Sequence, residues 1–216
     1  MTPMFLSATS PFKLLFVGDS ITDCGRDRSQ HGSDLGNGYV QQVDALLRAH
    51  LPQLAIQTLN VGVSGDRVTD LEARWQEDVL HQSPDYVAIL IGINDVWRQF
   101  DAPHLPPVTL EAYAETLEAL IRRTRCSTQG MWVLSPFFLE TNKADPMRAM
   151  MDRYGAAAQA VAKAQGLSFV DLQAAFDAWL SHQPTQQLCA DRVHPNAVGH
   201  AIIARAFLRA LGFNWT

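Results

Sequence analysis

The sequence is poor in cysteine, with three in 216 residues and no CxxC pair. Cys24, Cys126 and Cys189 are too widely spaced to suggest a disulfide framework or a zinc site. A chain of this length can bury a full core without either kind of cross-link. We therefore expect three reduced, partly buried thiols and no metal.

Long hydrophobic runs and an excess of positive charge are also missing. No apolar run approaches the ~18 residues that span a bilayer. Residues 1–11 lack the basic start and the unbroken apolar stretch of a signal peptide. The net charge of −5 argues against general nucleic-acid binding, which needs a basic face. These absences predict a cytoplasmic protein that binds neither membrane nor nucleic acid.

The composition is that of an ordinary globular chain, with 47% hydrophobic and 18% charged residues. Its length suits one α/β domain, and the sequence contains no repeat, low-complexity tract or flexible linker. We therefore predict a single domain over residues 1–216.

Short apolar runs alternate with amphipathic segments along the chain. The segments between the runs carry apolar residues at helical spacing. Five runs are predicted strands: 13–17, 55–61, 86–91, 131–134 and 168–172. The pattern predicts a three-layer α/β/α sandwich whose five-stranded parallel sheet has the flavodoxin-like order 2-1-3-4-5.

Two of the predicted helices have a clear start signal. Asp145 and Pro146 suit the N-cap and first turn of one helix. Pro195 suits the first position of the last helix, which would place His194 directly before that helix.

Polar, glycine-rich segments follow three of the predicted strands, and a fourth precedes the last helix. They are 18–23, 60–66, 92–95 and 191–195. Ligands of open α/β sheets bind at the carboxyl ends of the strands. We therefore expect the four segments to converge at one edge of the sheet.

The residues in these segments suit acyl transfer by a serine nucleophile. The three-residue gap lets Asp191 bond the Nδ1–H of His194, which leaves Nε2 free as a base for Ser20. The backbone amides of Ser20 and Gly62 and the side-chain amide of Asn94 could stabilise an oxyanion. Each residue alone equally fits a turn, a cap or an incidental surface position. Their combination indicates a catalytic site.

The ordered blocks from 16–20 to 191–195 resemble the SGNH subgroup of the GDSL esterase/lipase family over essentially the whole chain. The resemblance implies the SGNH hydrolase fold and assigns a role to each block. It makes Ser20 the nucleophile, His194 the base and Asp191 its orienting acid, with Ser20, Gly62 and Asn94 forming the oxyanion hole.

Longer stretches at 20–26, 73–79 and 91–99 look like the intracellular acetylxylan esterases of that family. Those enzymes remove acetyl groups from imported xylo-oligosaccharides and form homo-oligomers. The resemblance therefore implies an acetylated carbohydrate substrate, a homo-oligomer and no cofactor. Trp97 and Arg98 could stack on a sugar ring and bond its hydroxyls, although packing or an interface would explain the tryptophan equally.

Three other functions remain open from the sequence. A lysophospholipase or thioesterase of the same family would keep the triad and take longer acyl chains. A non-catalytic flavodoxin-like carrier would hold flavin mononucleotide, but Asp19 and Asp23 would repel its phosphate. A degenerate esterase could persist as a sugar-binding protein, which the intact Ser20, Asp191 and His194 argue against.

Overall fold

The computed structural model describes residues 10–213, so most of the segment 1–11 discussed above lies outside the described residues. The five strands form one parallel sheet in the order β2-β1-β3-β4-β5, which confirms the predicted topology. The strands are β1 (Phe12–Gly18), β2 (Ile56–Asn60), β3 (Tyr86–Leu90), β4 (Gly130–Leu134) and β5 (Ser168–Val170).

Eight α-helices lie within the described residues. They are α1 (Ser20–Asp23), α2 (Tyr39–His50), α3 (Val68–Trp75), α4 (Ile93–Asp101), α5 (Leu110–Thr124), α6 (Pro146–Ala164), α7 (Leu172–Leu180) and α8 (Ala197–Ala210). A π-helical turn over Gln76–Leu80 continues α3.

The sheet lies between two groups of helices, as the three-layer prediction requires. Helices α2, α7 and α8 pack together on one face, and α3, α5 and α6 pack together on the other. Phe16 of β1 makes edge contacts with Tyr39 of α2 and Phe207 of α8. All five residues of β3 are buried, because this central strand is covered on both faces. The core is therefore continuous through the sheet.

Two helices differ from the sequence prediction, and one starts later than expected. The short α1 and the longer α4 occupy segments that were predicted as loops. Helix α8 begins at Ala197 rather than at Pro195, because the Asn196 side chain accepts hydrogen bonds from the Val198 and Gly199 amides and so acts as the N-cap. The predicted Asp145–Pro146 start of α6 is confirmed.

The three cysteines are free thiols, as expected, but they differ in burial. Cys189 is buried, Cys24 is partly buried and Cys126 is exposed. The expectation of partial burial is therefore wrong for Cys126, which lies in the turn after α5. Between residues 10 and 213, none of the helices has the length and hydrophobicity needed to cross a membrane.

Candidate active site

Ser20 is the first residue of α1, directly after β1. The Asp19 side chain caps this helix by accepting a hydrogen bond from the Ile21 amide at 3.0 Å. A first-turn amide has no acceptor inside its own helix, so the Ser20 N–H is available to a ligand. Gly18 is required by packing, because a Cβ there would meet the Leu90 carbonyl oxygen at 2.3 Å. The chain therefore turns tightly and presents the serine at the sheet edge.

The structure brings Ser20, His194 and Asp191 together in one chain of hydrogen bonds. Ser20 Oγ lies 2.9 Å from His194 Nε2, and His194 Nδ1 lies 2.7 Å from Asp191 Oδ2. The other carboxylate oxygen of Asp191 accepts bonds from the Val193 and His194 amides. With Nδ1–H donating to the carboxylate, Nε2 is left to accept the serine proton.

Asp191 is held in its ionised form. Burial alone would raise its pKa, but the hydrogen bonds from His194 and from the Val193 amide outweigh burial and lower the pKa below its ordinary value. A carboxylate that stays charged can orient the His194 ring and stabilise it once that ring takes a proton.

The loop that carries Asp191 and His194 is fastened to the segment after β4. Arg192 lies between them in the left-handed region, at φ 65°. Its carbonyl accepts a bond from the Leu139 amide at 2.9 Å, and its guanidinium pairs with Glu140 at 2.8 Å. The guanidinium also lies 4.8 Å from the centroid of the Phe138 ring. These contacts hold the loop in place, although the side chains of Asp191 and His194 are nearly half exposed.

The structure corrects the prediction that Gly62 donates to the oxyanion. The Gly62 amide already donates to Asn60 Oδ1 at 2.9 Å. A Cβ on Gly62 would meet the Asp23 amide nitrogen at 2.2 Å, so this glycine is needed where the loop packs against α1. Gly62 also does not line the cavity beside Ser20.

Gly65, three residues further on, does reach the cavity. It lines the cavity beside Ser20, has a φ of +91°, and a Cβ on it would meet nothing within 4 Å. Within residues 10–213 its amide has no hydrogen-bond acceptor. Both glycines lie in the turn after β2, and sequence spacing alone did not show which of the two faces the cavity.

Asn94 lies at the start of α4 and faces the same cavity, as predicted. Its Nδ2 donates one hydrogen to the Asp66 carbonyl at 3.0 Å, which fixes the direction of the amide. The second hydrogen is free to bind a developing negative charge. The buried setting, with Asn94 only 2% exposed, favours such a preorganised donor.

The cavity at this edge has a volume of about 620 Å³. Trp97 and Arg98 line it beside Ser20, Asn94 and His194, where the sequence analysis placed them. The Trp97 ring centroid lies 5.8 Å from that of His194, and the Arg98 guanidinium lies 5.6 Å from the centroid of Trp97. Trp97 therefore borders the reacting groups directly.

A second histidine, His200 of α8, also lines the cavity and was not predicted as a site residue. Its Nδ1 accepts a bond from the Tyr39 amide at 3.1 Å, so Nε2 carries the proton and faces Cys24 Sγ at 3.3 Å. Burial, with a smaller contribution from His194, lowers the pKa of His200 to about 4. His200 is therefore a neutral wall of the cavity. No sequence signal separates it from an ordinary helix residue.

Two buried carboxyl groups lie behind the site. Asp95 accepts bonds from the Val68 amide at 3.0 and 3.2 Å and so joins the Asn94 segment to the start of α3. Burial raises the pKa of Asp95 to about 7. Burial raises the pKa of Asp19 to about 7 as well.

Residues 16–202 match the model of the GDSL-like Lipase/Acylhydrolase family. The chain is 50% identical to an acetylxylan esterase of Geobacillus stearothermophilus over 208 residues, which cover 94% of this chain and 95% of that protein. Both findings extend over the catalytic blocks described above.

Solved structures similar to this chain include an acetylxylan esterase and an α/β hydrolase. The crystal structure of the acetylxylan esterase Axe2 from Geobacillus stearothermophilus superposes with a TM-score of 0.92 at 48% identity, covering 96% of this chain and 97% of that one. The α/β hydrolase LAE5 from the metagenome of Lake Arreo, Spain, also gives 0.92, at 47% identity and 95% and 97% coverage. Three further Axe2 structures, described as catalytic mutants, replace a serine, an aspartate and a histidine by alanine.

Proposed function

The chain belongs to the GDSL-like lipase/acylhydrolase family, and from this premise we propose that it removes acetyl groups from acetylated xylo-oligosaccharides or related carbohydrates. It is a carboxylic ester hydrolase with a Ser-His-Asp mechanism. The observation that carries the proposal is the hydrogen-bonded chain from Ser20 through His194 to Asp191, which opens into a cavity bordered by Trp97 and Arg98.

We assign the roles of the first half-reaction from the distances. Ser20 Oγ attacks the acetyl carbonyl carbon while His194 Nε2 takes the hydroxyl proton. The carbonyl oxygen becomes an oxyanion, which accepts hydrogen bonds from the Ser20 and Gly65 amides and from Asn94 Nδ2. When the tetrahedral intermediate collapses, the bond to the sugar oxygen breaks and His194 donates its proton to that oxygen.

The second half-reaction releases acetate and restores the serine. His194 takes a proton from a water molecule, whose oxygen attacks the acetyl group on Ser20. The same donors stabilise the second oxyanion. The bond to Ser20 Oγ then breaks, and His194 returns the proton to that oxygen.

The composition of the cavity wall supports a carbohydrate alcohol. In the first half-reaction His194 must contact the leaving oxygen, and Trp97 is the aromatic side chain beside His194. An aromatic face suits the CH groups of a sugar ring, and Arg98 can donate to its hydroxyls. A flavin carrier does not require the hydrogen-bonded chain of Ser20, His194 and Asp191, so we set that alternative aside.

The test is the release of acetate from acetylated xylo-oligosaccharide, measured beside the hydrolysis of nitrophenyl acetate and nitrophenyl octanoate. Ser20→Ala is the matched blank, because it removes only the hydroxyl oxygen. Rapid release of acetate that depends on Ser20, with little turnover of octanoate, would support the proposal. Preference for octanoate would keep the triad but assign the enzyme to lipid or thioester substrates.

Three expectations from the sequence stay predictions alongside this function: a single domain over residues 1–216, a cytoplasmic location and a homo-oligomeric state. The relatives that cover nearly the whole chain support the first expectation. Light scattering on the purified protein would measure the number of subunits.

A further inference from the structure

We propose that a second sugar-binding subsite lies beside the catalytic cavity, in the cleft between α4 and the start of α6. It would bind the part of a xylo-oligosaccharide that extends beyond the acetylated unit. This inference rests on the proposed function, since it concerns the same substrate at the same edge of the sheet.

The cleft is built from one face of α4. Trp97, Phe100 and Asp101 follow the i, i+3, i+4 spacing that places side chains on one side of a helix. They line a space of about 290 Å³ whose opposite wall is formed by residues 145–147 and by Arg192. Trp97 lines both this cleft and the catalytic cavity, so the two spaces adjoin at its ring.

The direction of the substrate follows from the chemistry at His194. The leaving oxygen of the sugar must receive its proton from His194 Nε2, so the sugar lies on the His194 side of the ester. The Trp97 ring lies 5.8 Å from the His194 ring, measured between centroids. A chain attached to that sugar can therefore pass over Trp97 toward Phe100.

Phe100 is an aromatic side chain that the fold leaves partly exposed. It is 42% exposed, although the neighbouring apolar positions of α4, Ile93 and Val96, are buried. An exposed aromatic ring at the rim of a cavity is typical of a ligand-binding surface. A sugar ring offers a CH face that would cover Phe100, with hydroxyls that remain in water.

The charges of the cleft favour a neutral, hydroxyl-rich ligand. Asp101 is paired with Arg98 at 2.7 Å, and Asp145 lies 3.5 Å from the guanidinium of Arg192. Arg192 is also paired with Glu140, so these groups hold three carboxylates and two guanidiniums. The small negative excess would repel an anionic ligand, whereas a neutral ligand is unaffected by it. The same groups still have lone pairs and N–H groups that can bond sugar hydroxyls.

The test compares substrates of different length in Phe100→Ala. The measured quantity is the ratio of kcat/KM for acetylated xylotriose to kcat/KM for nitrophenyl acetate. Losing one stacking contact should lower this ratio roughly 3- to 10-fold, mainly through KM for the longer substrate. Phe100→Tyr should restore most of the ratio, because it keeps the ring.

Leu105→Ala is the matched control. Leu105 is also 42% exposed and lies just beyond α4, but it does not line the cleft. Its removal should leave the ratio unchanged. Thermal unfolding of both variants would show that each is folded.

The other outcomes would overturn the inference. An unchanged ratio of kcat/KM in Phe100→Ala would contradict the subsite. Equal kcat/KM values of the wild-type enzyme for acetylated xylose and acetylated xylotriose would contradict it as well. If Phe100→Ala lowered the subunit number and the rate on every substrate equally, this face would be an interface between copies. A wild type that releases acetate from no acetylated sugar would instead contradict the proposed function.

Discussion

At the scale of single residues, Asn94 combines a structural hydrogen bond with a position at the catalytic cavity. Its Nδ2 donates to the Asp66 carbonyl, and the side chain lines the cavity beside Ser20. Asn94→Ala should lower kcat for nitrophenyl acetate ~10²–10³-fold with little change in KM, because it removes a donor that acts in the transition state. A kcat within a few-fold of wild type would exclude Asn94 from the oxyanion hole.

Asp19 makes a prediction about stability and pH. It is 1% exposed, and one of its carboxyl oxygens has no hydrogen-bond partner in the part of the chain that the structure describes. Burial, assisted by the charges of Asp95 and Asp66, raises its pKa to about 7. In the unfolded chain an aspartate titrates near ~3.9. Ionisation therefore favours the unfolded chain as the pH rises between these two values.

The difference between the folded and unfolded pKa of Asp19 sets how stability changes with pH. Below about pH 4 both states are protonated and the group imposes no penalty. Above pH 7 the penalty is complete and amounts to several kcal/mol, on the order that a buried carboxylate without full hydrogen bonding costs. Asp19→Asn keeps an acceptor for the Ile21 amide. It should raise the free energy of unfolding at pH 8 and change it little at pH 4, as measured by urea denaturation. Equal effects at both pH values would contradict the assignment.

Single residues also mark the limit of sequence reasoning. The order and types of Ser20, Asn94, Asp191 and His194 were sufficient to identify the catalytic constellation. The sequence could not show whether Gly62 or Gly65 has a free amide at the cavity. The Gly62 amide donates to the Asn60 side chain, and this contact is visible only in the structure. That contact depends on how the turn folds back on itself, which periodicity does not encode.

At the scale of elements, a nearly buried arginine joins α6 to α7. Arg148 is 1% exposed and makes two bonds to the Asp177 carboxylate, at 2.9 and 2.7 Å, and one to Asp152 at 2.7 Å. The ion pair thereby links a helix on one face of the sheet to a helix on the other, and β5 lies between them in sequence. The arginine also bonds the Glu140 carbonyl, which belongs to the segment that holds that loop.

Asp177→Ala should lower the free energy of unfolding by about 3 kcal/mol, because it leaves the buried guanidinium with one of its three carboxylate bonds. Urea denaturation would measure the loss. Glu77→Ala is the control, since Glu77 is 77% exposed in its pair with His81 and should cost under ~1 kcal/mol. Equal losses in the two variants would show that the Arg148 network does not stabilise the chain.

Strands and helices were predicted correctly where the local pattern of apolar residues was strong. The five apolar runs became strands. Runs this short favour strands, because a helix in a globular protein usually needs about ten residues or more. Helix α4 was missed although Ile93, Val96 and Trp97 have helical spacing, because the polar Asn94–Asp95 pair suggested a loop. Helix α1 was missed because four residues carry too little periodicity to recognise.

At the scale of the whole molecule, strand order explains why distant segments meet. The sheet places β1 between β2 and β3, so the segment that carries Ser20 lies between those that carry Gly65 and Asn94. Asp191 and His194 come from the far end of the chain, and hydrogen bonds hold their loop against the segment after β4. The order was predictable from the alternation of strands and helices, whereas the fastening by Arg192 was not, since it joins residues about fifty positions apart.

The most direct test of the account is to quench the enzyme during turnover of an acetylated substrate and to locate the acetyl group by mass spectrometry of its peptides. We predict one acetyl group, on Ser20, which disappears once the substrate is exhausted and never forms in Ser20→Ala. An acetyl group that maps to another residue, or adduct formation that persists in Ser20→Ala, would contradict it.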